Sequence, residues 1–218
     1  MDRTTLIKLL IPAAIFVISA CGDRFGVELS PEPGIVRVVL QADARDTSIV
    51  ILGSDWVVAA GDSLDLMVYQ GKVWDIDANF ATLYKCHDSW RQEEYYYNVL
   101  SRVDGEYESF VAFESFVPDG KYESISIGMR ASLMLISPFR IPVELPPGVD
   151  AIMKLPIEFE VFEEELTEIT VQISPFQSMK RYQDSYQFDR IVEVTGVTYY
   201  DKDEFLQAIS VSHSDEEE

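Results

Sequence analysis

Cysteine, histidine and basic residues are scarce in this sequence. It has two cysteines and two histidines among 218 residues, so one disulfide is the most it can form. Only 17 residues are basic against 38 acidic ones, and the formal net charge is −21. A surface of that sign repels the phosphates of nucleic acids and anionic lipid headgroups. Nucleic acid is therefore not expected as a partner.

The hydrophobic residues are sufficient for a folded core but include no long apolar run at the N-terminus. Hydrophobic residues make up 47% and aromatic residues 12% of the chain, which argues against disorder. Leu9–Ala20 is uncharged over 12 residues and follows Arg3 and Lys8. A membrane-spanning helix needs roughly 20 apolar residues. A charged start followed by a short apolar stretch is instead typical of a cleaved signal peptide covering residues 1–20.

The end of that stretch carries a second motif. The sequence Ile18-Ser19-Ala20-Cys21 resembles the bacterial lipobox, an aliphatic residue and two small residues before a cysteine. The resemblance implies that Cys21 becomes the acylated N-terminus and anchors the chain to a membrane. An ordinary signal peptide with an incidental cysteine is the alternative. Removal of residues 1–20 leaves 15 basic and 37 acidic residues, a net charge of −22, so attachment would depend on the acyl chains.

These features imply a location and a domain order. We expect a lipid-anchored protein of the bacterial cell envelope that faces the periplasm or the exterior. Residues 21–34, with Pro31 and Pro33, are expected to form a tether. Residues 35–200 are expected to form the folded domain, with a small separate sheet over 35–70 as an open alternative. Residues 201–218 are expected to form a polar, acidic tail.

Short strands separated by turn residues are predicted for most of the folded domain. They are rich in β-branched and aromatic residues, and Gly53, Gly61 and Gly71 separate the first of them. The predicted strands are Ile35–Leu40, Thr47–Leu52, Trp56–Ala59, Ser63–Tyr69, Val73–Tyr84, Tyr95–Leu100, Tyr107–Val117, Tyr122–Met129, Ile141–Leu145, Leu155–Phe162, Leu166–Ile173 and Phe188–Val197. Glu204–Ile209 alone has a weak helical stripe. The fold class is therefore expected to be all-β, an antiparallel β-sandwich.

Alternation with period two supports this prediction. In Tyr122–Met129, Ile125, Ile127 and Met129 fall on one face, and two serines fall on the other. One cysteine, Cys86, remains after lipidation of Cys21, and a lone cysteine beside a strand is expected to be a small buried residue.

From residue 72 to residue 197 the order of turns and strands has a known counterpart. A hairpin Pro118-Asp119-Gly120-Lys121-Tyr122, then Ile141-Pro142-Val143, then a Pro-Gly turn before Leu166–Val171, resembles a lipoprotein domain of unknown function from environmental bacteria. That family is similar to prealbumin-like and carboxypeptidase-regulatory-like sandwiches. The resemblance implies a fold and no activity.

Gly61-Asp62-Ser63-Leu64 has the sequence signature of GDSL esterases. In that family the serine is a nucleophile and needs a histidine, an exposed strand-to-helix turn and oxyanion donors. Here Ser63 leads into a predicted strand, and the position three residues before His213 is Ser210 instead of an aspartate. A turn between strands explains the motif better than a serine esterase.

Metal binding and acid–base catalysis have weak support. Asp75-Ile76-Asp77-Ala78-Asn79 copies the start of an EF-hand loop, but Phe80 replaces the glycine and Cys86 replaces the closing glutamate. A looser Ca²⁺ site among the carboxylates stays open. His87, His213 and one thiol do not make a zinc set, and nothing marks two carboxylates as a glycosidase pair. No metal and no cofactor is expected.

Aromatic residues cluster over a short stretch that includes Trp74, Tyr84, Trp90 and Tyr95-Tyr96-Tyr97. Exposed tryptophan and tyrosine rings bind sugars or protein partners. Consecutive tyrosines on a strand point to opposite faces, so part of the set must face outward. The candidate binding residues are Trp90, Tyr95, Tyr96 and Tyr97, and burial in the core is the alternative.

The sequence thus predicts a non-enzymatic, lipid-anchored β-sandwich with a binding or scaffolding role. Its partners would be the membrane, through the lipid, and a protein or a glycan. A carbohydrate- or peptide-binding module that uses the exposed aromatic residues is the alternative, and an esterase at Ser63 is a third hypothesis.

Lipidation of Cys21 is tested by labelling cells with an alkyne analogue of palmitate. We expect the wild-type chain to be labelled and Cys21→Ser to lose the label, because serine offers no thiol to take the diacylglyceryl group. Cys86→Ser is the matched control and should keep the label. An unlabelled wild-type chain, or a labelled Cys21→Ser chain, would contradict the assignment.

Overall fold

The computed structural model describes residues 31–86, 94–183, 185–201 and 203. The chain divides into two units, Met1–Pro31 and Glu32–Glu218, and the following description concerns the second. Several sequence predictions lie outside the described residues: the signal peptide, Cys21, Trp90, both histidines, the helical stripe Glu204–Ile209 and nearly all of the acidic tail.

The described part of the chain is almost entirely β-structure, which confirms the predicted fold class. Its strands are β1 (Gly34–Ala42), β2 (Ser48–Ile51), β3 (Ser54–Val57), β4 (Ser63–Asp75), β5 (Phe80–Leu83), β6 (Tyr95–Asn98), β7 (Arg102–Val103), β8 (Glu106–Tyr107), β9 (Ser109–Val117), β10 (Gly120–Ile136), β11 (Phe139–Glu144), β12 (Ile152–Val161), β13 (Leu166–Ile173), β14 (Met179–Tyr182), β15 (Ser185–Phe188) and β16 (Val192–Tyr200).

Two sheets build the sandwich. The small sheet has the order β16-β13-β1-β9. The large sheet has the order β14-β15-β11-β10-β4-β5, with β12 also paired to β10 and β6 also paired to β4. The hairpins β2–β3 and β7–β8 are separate. The strands of residues 35–70 are therefore shared among three sheets.

Most pairings are antiparallel, but two are parallel and differ from the expected all-antiparallel sandwich. Strand β1 pairs with β13 in parallel, with Ile35 opposite Leu166 and Ala42 opposite Ile173. Strand β11 pairs with β15 in the same sense. Parallel neighbours need long crossover connections, and local alternation carries no signal for a partner this far away in sequence.

The inner faces of both sheets form one hydrophobic core. It includes Val36 and Val38 of β1, Ile169 of β13 and Ile125 of β10, all fully buried. At Gly71 of β4 the two sheets are in close contact, since an added Cβ would lie 2.9 Å from Phe113 Cζ on β9. Only glycine fits between the sheets at this point.

The long strand β10 is buried on both faces over much of its length. Ile125, Ile127 and Met129 face the core as predicted, with exposed fractions of 2% or less. Ser124 and Ser126, on the opposite face, are also buried. Side chains of neighbouring strands must therefore cover this outer face. The alternation of apolar and polar residues predicts instead that the serine face is exposed to water.

Two predictions about residues 73–86 were wrong. Val73–Tyr84 is not one strand, because the chain turns between Asp75 and Phe80, where Ala78 has a positive φ of 62°. Cys86 is exposed and not a buried core residue. Strand β5 ends at Leu83, so the inward–outward alternation of the sheet no longer fixes the side chain at position 86.

Buried aspartates fix the loops at one end of the sandwich. The Asp46 carboxylate accepts backbone N–H groups of Phe176, at 2.7 Å, and Gln177, at 3.1 Å. Burial raises the pKa of Asp46, and these two hydrogen bonds oppose the rise. Asp62 accepts the N–H groups of Ala59 and Ser137, at 2.7 and 3.0 Å. Both carboxylates are used to hold loops.

Candidate functional site

Strand β6 contains the predicted tyrosines and divides them between two faces. It pairs with β4 so that Tyr97 lies opposite Leu66 and Tyr96 opposite Met67. Tyr97 is in the core and only 9% exposed, and Tyr95 packs against the core. Tyr96 is 60% exposed. The structure therefore places Tyr96 alone among the three on the outer face, while Trp90 lies outside the described residues.

Tyr97 is held by hydrogen bonds at the edge of the sheet. Its hydroxyl donates to the Val111 carbonyl at 3.1 Å and accepts a hydrogen bond from the Lys85 ammonium, which also donates to Val111. Burial raises the pKa of Tyr97 and lowers the pKa of Lys85. These bonds tie the chain after β5 to β9 and leave Tyr97 without an exposed ring face.

Other aromatic and basic side chains share the outer face with Tyr96. They extend along β4 and its neighbours, on the side of the sheet opposite the core. We call this set the outer patch; it consists of Met67, Tyr69, Lys72, Trp74, Phe80, Tyr96, Arg130 and Lys154. From Tyr96 to Trp74 it runs about 20 Å along the strands, at roughly 3.3 Å per residue.

The Tyr69 ring lies flat on the sheet. Tyr69 is paired with Gly128 of β10, and a Cβ added to Gly128 would lie 2.6, 2.7 and 2.8 Å from three successive ring atoms. Nearly equal distances to adjacent ring atoms place the glycine beneath the face of the ring and not at its edge. The opposite face of Tyr69 is turned away from the sheet, and the residue is partly exposed.

Trp74 covers the next part of β10. Its indole Nε1 donates to the Ser126 hydroxyl at 2.9 Å, which fixes the ring over that serine. The Phe80 ring centroid lies 5.1 Å from that of Trp74, with the planes tilted by 49°. Phe80 is 52% exposed. Together with Tyr69, these rings bury the polar outer face of β10 and present apolar surface to solvent.

Basic groups lie over these rings. The Lys72 ammonium is 4.0 Å from the Phe80 centroid and 5.6 Å from that of Trp74. Lys154 is also 5.6 Å from Trp74 and forms a 3.5 Å ion pair with Glu123. Such cation–π contacts hold the ammonium groups at defined places.

Arg130 completes the patch beside Tyr96. Its Cζ atom is 6.0 Å from the Tyr69 centroid, and its Nε donates to Met67 Sδ at 3.1 Å. An open cleft of about 340 Å³ lies here. Its lining consists of Met67, Tyr96, Arg130, Ala131, Ser132, Val143, Glu144 and Leu145.

On the small sheet, by contrast, the basic side chain is paired with carboxylates. Arg37 of β1 donates to Glu114 of β9 at 2.6 Å and lies 3.5 Å from Glu168 of β13. A carboxylate on each neighbouring strand thus neutralises the guanidinium. In the described part of the large sheet, neither Lys72 nor Arg130 has a carboxylate within ion-pair distance.

The Gly61–Leu64 motif forms a turn and the start of a strand. Gly61 has a positive φ of 94°, Asp62 is buried, and Ser63 is the first residue of β4. Strand, and not helix, follows the serine. The histidines that an esterase would need lie outside the described residues.

The Asp75–Asn79 motif closes the hairpin between β4 and β5. The Asp75 carboxylate accepts the Asn79 backbone N–H at 2.8 Å and the Asn79 amide at 2.9 Å. These bonds lower the pKa of Asp75. Over the ranges that the structure describes, no three His, Cys, Asp or Glu side chains are grouped as metal ligands, and no helix is long and apolar enough to cross a membrane.

Sequence reasoning identified Trp74 and Tyr96 but missed the other members of the outer patch. A glycine inside a predicted strand, Gly128, was the available signal, since such a glycine often marks a close approach by another group. Lys72 could not be placed from alternation, because Gln70 has a positive φ of 50° and the register shifts between Ser126 and Gly128. That bulge changes which residues of β4 share a face.

Comparison with protein-family models, with curated proteins and with solved structures finds no match to this chain.

The contact between Tyr69 and Gly128 is tested by a double-mutant cycle. We expect Gly128→Ala to destabilise the protein by about 1–3 kcal/mol, because the new methyl group overlaps the ring. The cost should largely disappear when Tyr69→Ala is already present. Urea unfolding of the four chains measures the coupling.

Gly196→Ala is the matched control, because an added Cβ there meets nothing within 4 Å. It should change the free energy of unfolding by less than about 0.5 kcal/mol. A Gly128→Ala chain as stable as wild type, or a cost that persists without the Tyr69 ring, would contradict the flat placement.

Proposed function

We propose that this chain is a lipid-anchored binding protein of the bacterial cell envelope, that it acts without catalysis, and that the outer patch is its binding surface. The observation that carries the proposal is the patch itself. Exposed rings of Phe80 and Tyr96 share one face of the large sheet with Lys72 and Arg130, which have no carboxylate partner among the described residues. Aromatic and arginine side chains are enriched at binding surfaces.

The way the aromatic rings of the patch are held favours recognition over catalysis. Trp74 is held by Ser126 and Tyr69 by Gly128. A preorganised surface loses little conformational entropy on binding. In the esterase motif, Asp62 lies in a turn and Ser63 begins a strand of the described fold. This placement supports a non-enzymatic role.

The lipobox-like sequence ending at Cys21 supports the anchor. The net charge of −21 gives the body of the protein no attraction to anionic headgroups, so acyl chains are the attachment that fits. An anchored domain with a proline-containing segment at 31–33 would hold the sandwich near the membrane and present the patch to envelope components.

A carbohydrate- or peptide-binding module is the second candidate within this proposal. The flat position of Tyr69 favours a flat ligand surface over an inserted side chain. A protein scaffold without a defined ligand is the broader alternative, and it makes no specific use of the aromatic rings.

The role of the patch is tested by site-specific photo-crosslinking in the cells that produce the protein. A benzophenone amino acid replaces Phe80 in one chain and Tyr96 in another. Phe116, on the small sheet and 52% exposed like Phe80, is replaced in the control. We expect crosslinked species of higher mass from the two patch positions, at least about fivefold above the control. Equal yields at all three positions would contradict the proposal.

A further inference from the structure

We infer that the outer patch binds a carboxylated polysaccharide, with sugar rings stacked on its aromatic side chains and carboxylates paired with Lys72, Lys154 and Arg130. This inference rests on the proposed function, since it names the ligand class of the same surface. Three properties of the patch carry it: the Tyr69 ring lies flat on the sheet, Lys72 and Arg130 have no carboxylate partner among the described residues, and the two central strands β4 and β10 are paired on both sides.

The ring geometry suits a sugar. Tyr69 lies with one face on Gly128, so its other face forms a flat apolar platform above the sheet. The C–H bonds on one side of a pyranose ring pack on such a face, as apolar groups pack on aromatic rings. Phe80 and Tyr96, at opposite ends of the patch, are 52% and 60% exposed and add aromatic surface along the strands.

The charges in the patch select an anion. Acidic residues outnumber basic ones 38 to 17 in this chain, so a basic side chain has many available partners. Arg37 on the small sheet has two. Lys72 and Arg130 lie over rings instead, without a carboxylate partner in the described residues. An external carboxylate would supply the missing ion pair, and the aromatic contacts keep the cations in position for it.

The basic side chains of the patch come from three different backbone positions. Lys72 and Lys154 are both paired with Ser126, from the strands on its two sides, so their backbones are about 10 Å apart. Arg130 lies four residues farther along β10, about 13 Å away. The Lys72 and Lys154 ammonium groups both lie 5.6 Å from the Trp74 centroid, so these two can share one carboxylate while Arg130 pairs with another farther along the polymer.

The two central strands of the patch, β4 and β10, offer no open edge to a peptide. Peptides commonly add a strand to an open sheet edge. Strand β10 has β4 on one side and β11 and β12 on the other, and β4 is paired with β10, β5 and β6. Recognition over β4 and β10 therefore uses side chains, which suits the ring stacking and ion pairing of a polysaccharide.

The acidic body of the protein does not prevent this contact. The Debye length is about 8 Å at physiological ionic strength, so distant carboxylates are largely screened. Among the described residues, the acidic groups within or beside the patch include Glu123, which already pairs with Lys154, Glu144 at the cleft, and Asp65 and Asp75 on β4. Nucleic acids carry one charge per about 1.7 Å. A nucleic acid would therefore bring more negative charge to this acidic protein than a polysaccharide with one carboxylate per sugar.

The test is calorimetric titration of the full chain in detergent micelles with three probes. These are polygalacturonate, fully methyl-esterified polygalacturonate and poly-L-glutamate. We expect binding of polygalacturonate, at least about tenfold weaker binding of the ester because it lacks the charge, and no binding of poly-L-glutamate because it lacks sugar rings. No binding of polygalacturonate, or equal binding of the ester or of poly-L-glutamate, would overturn the inference.

Variants locate the site. Phe80→Ser, and the pair Lys72→Gln with Lys154→Gln, should each weaken polygalacturonate binding at least about tenfold. Phe116→Ser and Lys180→Gln are the controls and should leave it unchanged; Lys180 lies outside the patch and its side chain is 61% exposed, close to the 56% of Lys154. Unchanged binding in the patch variants, with circular dichroism spectra like wild type, would also overturn the inference.

The outcome is separable from that of the proposed function. If the photo-crosslinks at positions 80 and 96 form in cells but polygalacturonate does not bind, the patch is a binding surface with another ligand. If neither occurs, the proposed function fails as well.

Discussion

The central strand β10 is buried on both faces, and the rest of the structure depends on this constraint. On one side Ile125, Ile127 and Met129 face the small sheet across the core. On the other side Ser124 and Ser126 are equally shielded from water, although no second sheet lies there in the described fold. A polar strand face is buried at a cost unless its groups are covered and bonded. Side chains from β4 provide the cover.

That cover explains the geometry of the outer patch. Because Gly128 has no side chain, Tyr69 lies flat over it, and because Ser126 accepts the indole N–H, Trp74 is fixed beside it. The Tyr69 ring packs on the sheet with one face, and Phe80 and Tyr96 are exposed. Lys72 contacts the Phe80 ring and Arg130 lies 6.0 Å from the Tyr69 centroid, so the basic groups of the patch are also positioned by the packing of β10. Structure and the proposed binding role use the same residues.

The sequence predicted much of the fold and part of the candidate site. Alternation in Tyr122–Met129 and the β-branched residues of Leu166–Ile173 identified strands correctly because both are local properties of the sequence. The parallel pairing of β1 with β13 and the bulge at Gln70 are not local, so neither could be predicted. Of the tyrosines at 95–97, alternation required an outward side chain, but only the pairing with Met67 shows that it is Tyr96. Gly128 was the one local signal of the covered face.

The account is tested most directly by hydroxyl-radical footprinting of the protein in intact envelopes and in detergent. It predicts that Phe80 and Tyr96 are oxidised several-fold more slowly in the envelope, where the ligand is present, than in detergent. Phe116 and Tyr182, which are exposed on other parts of the sandwich, should react equally in both. Equal oxidation of Phe80 and Tyr96 in the two states, or protection of all four residues alike, would contradict the assignment of the outer patch as the binding surface.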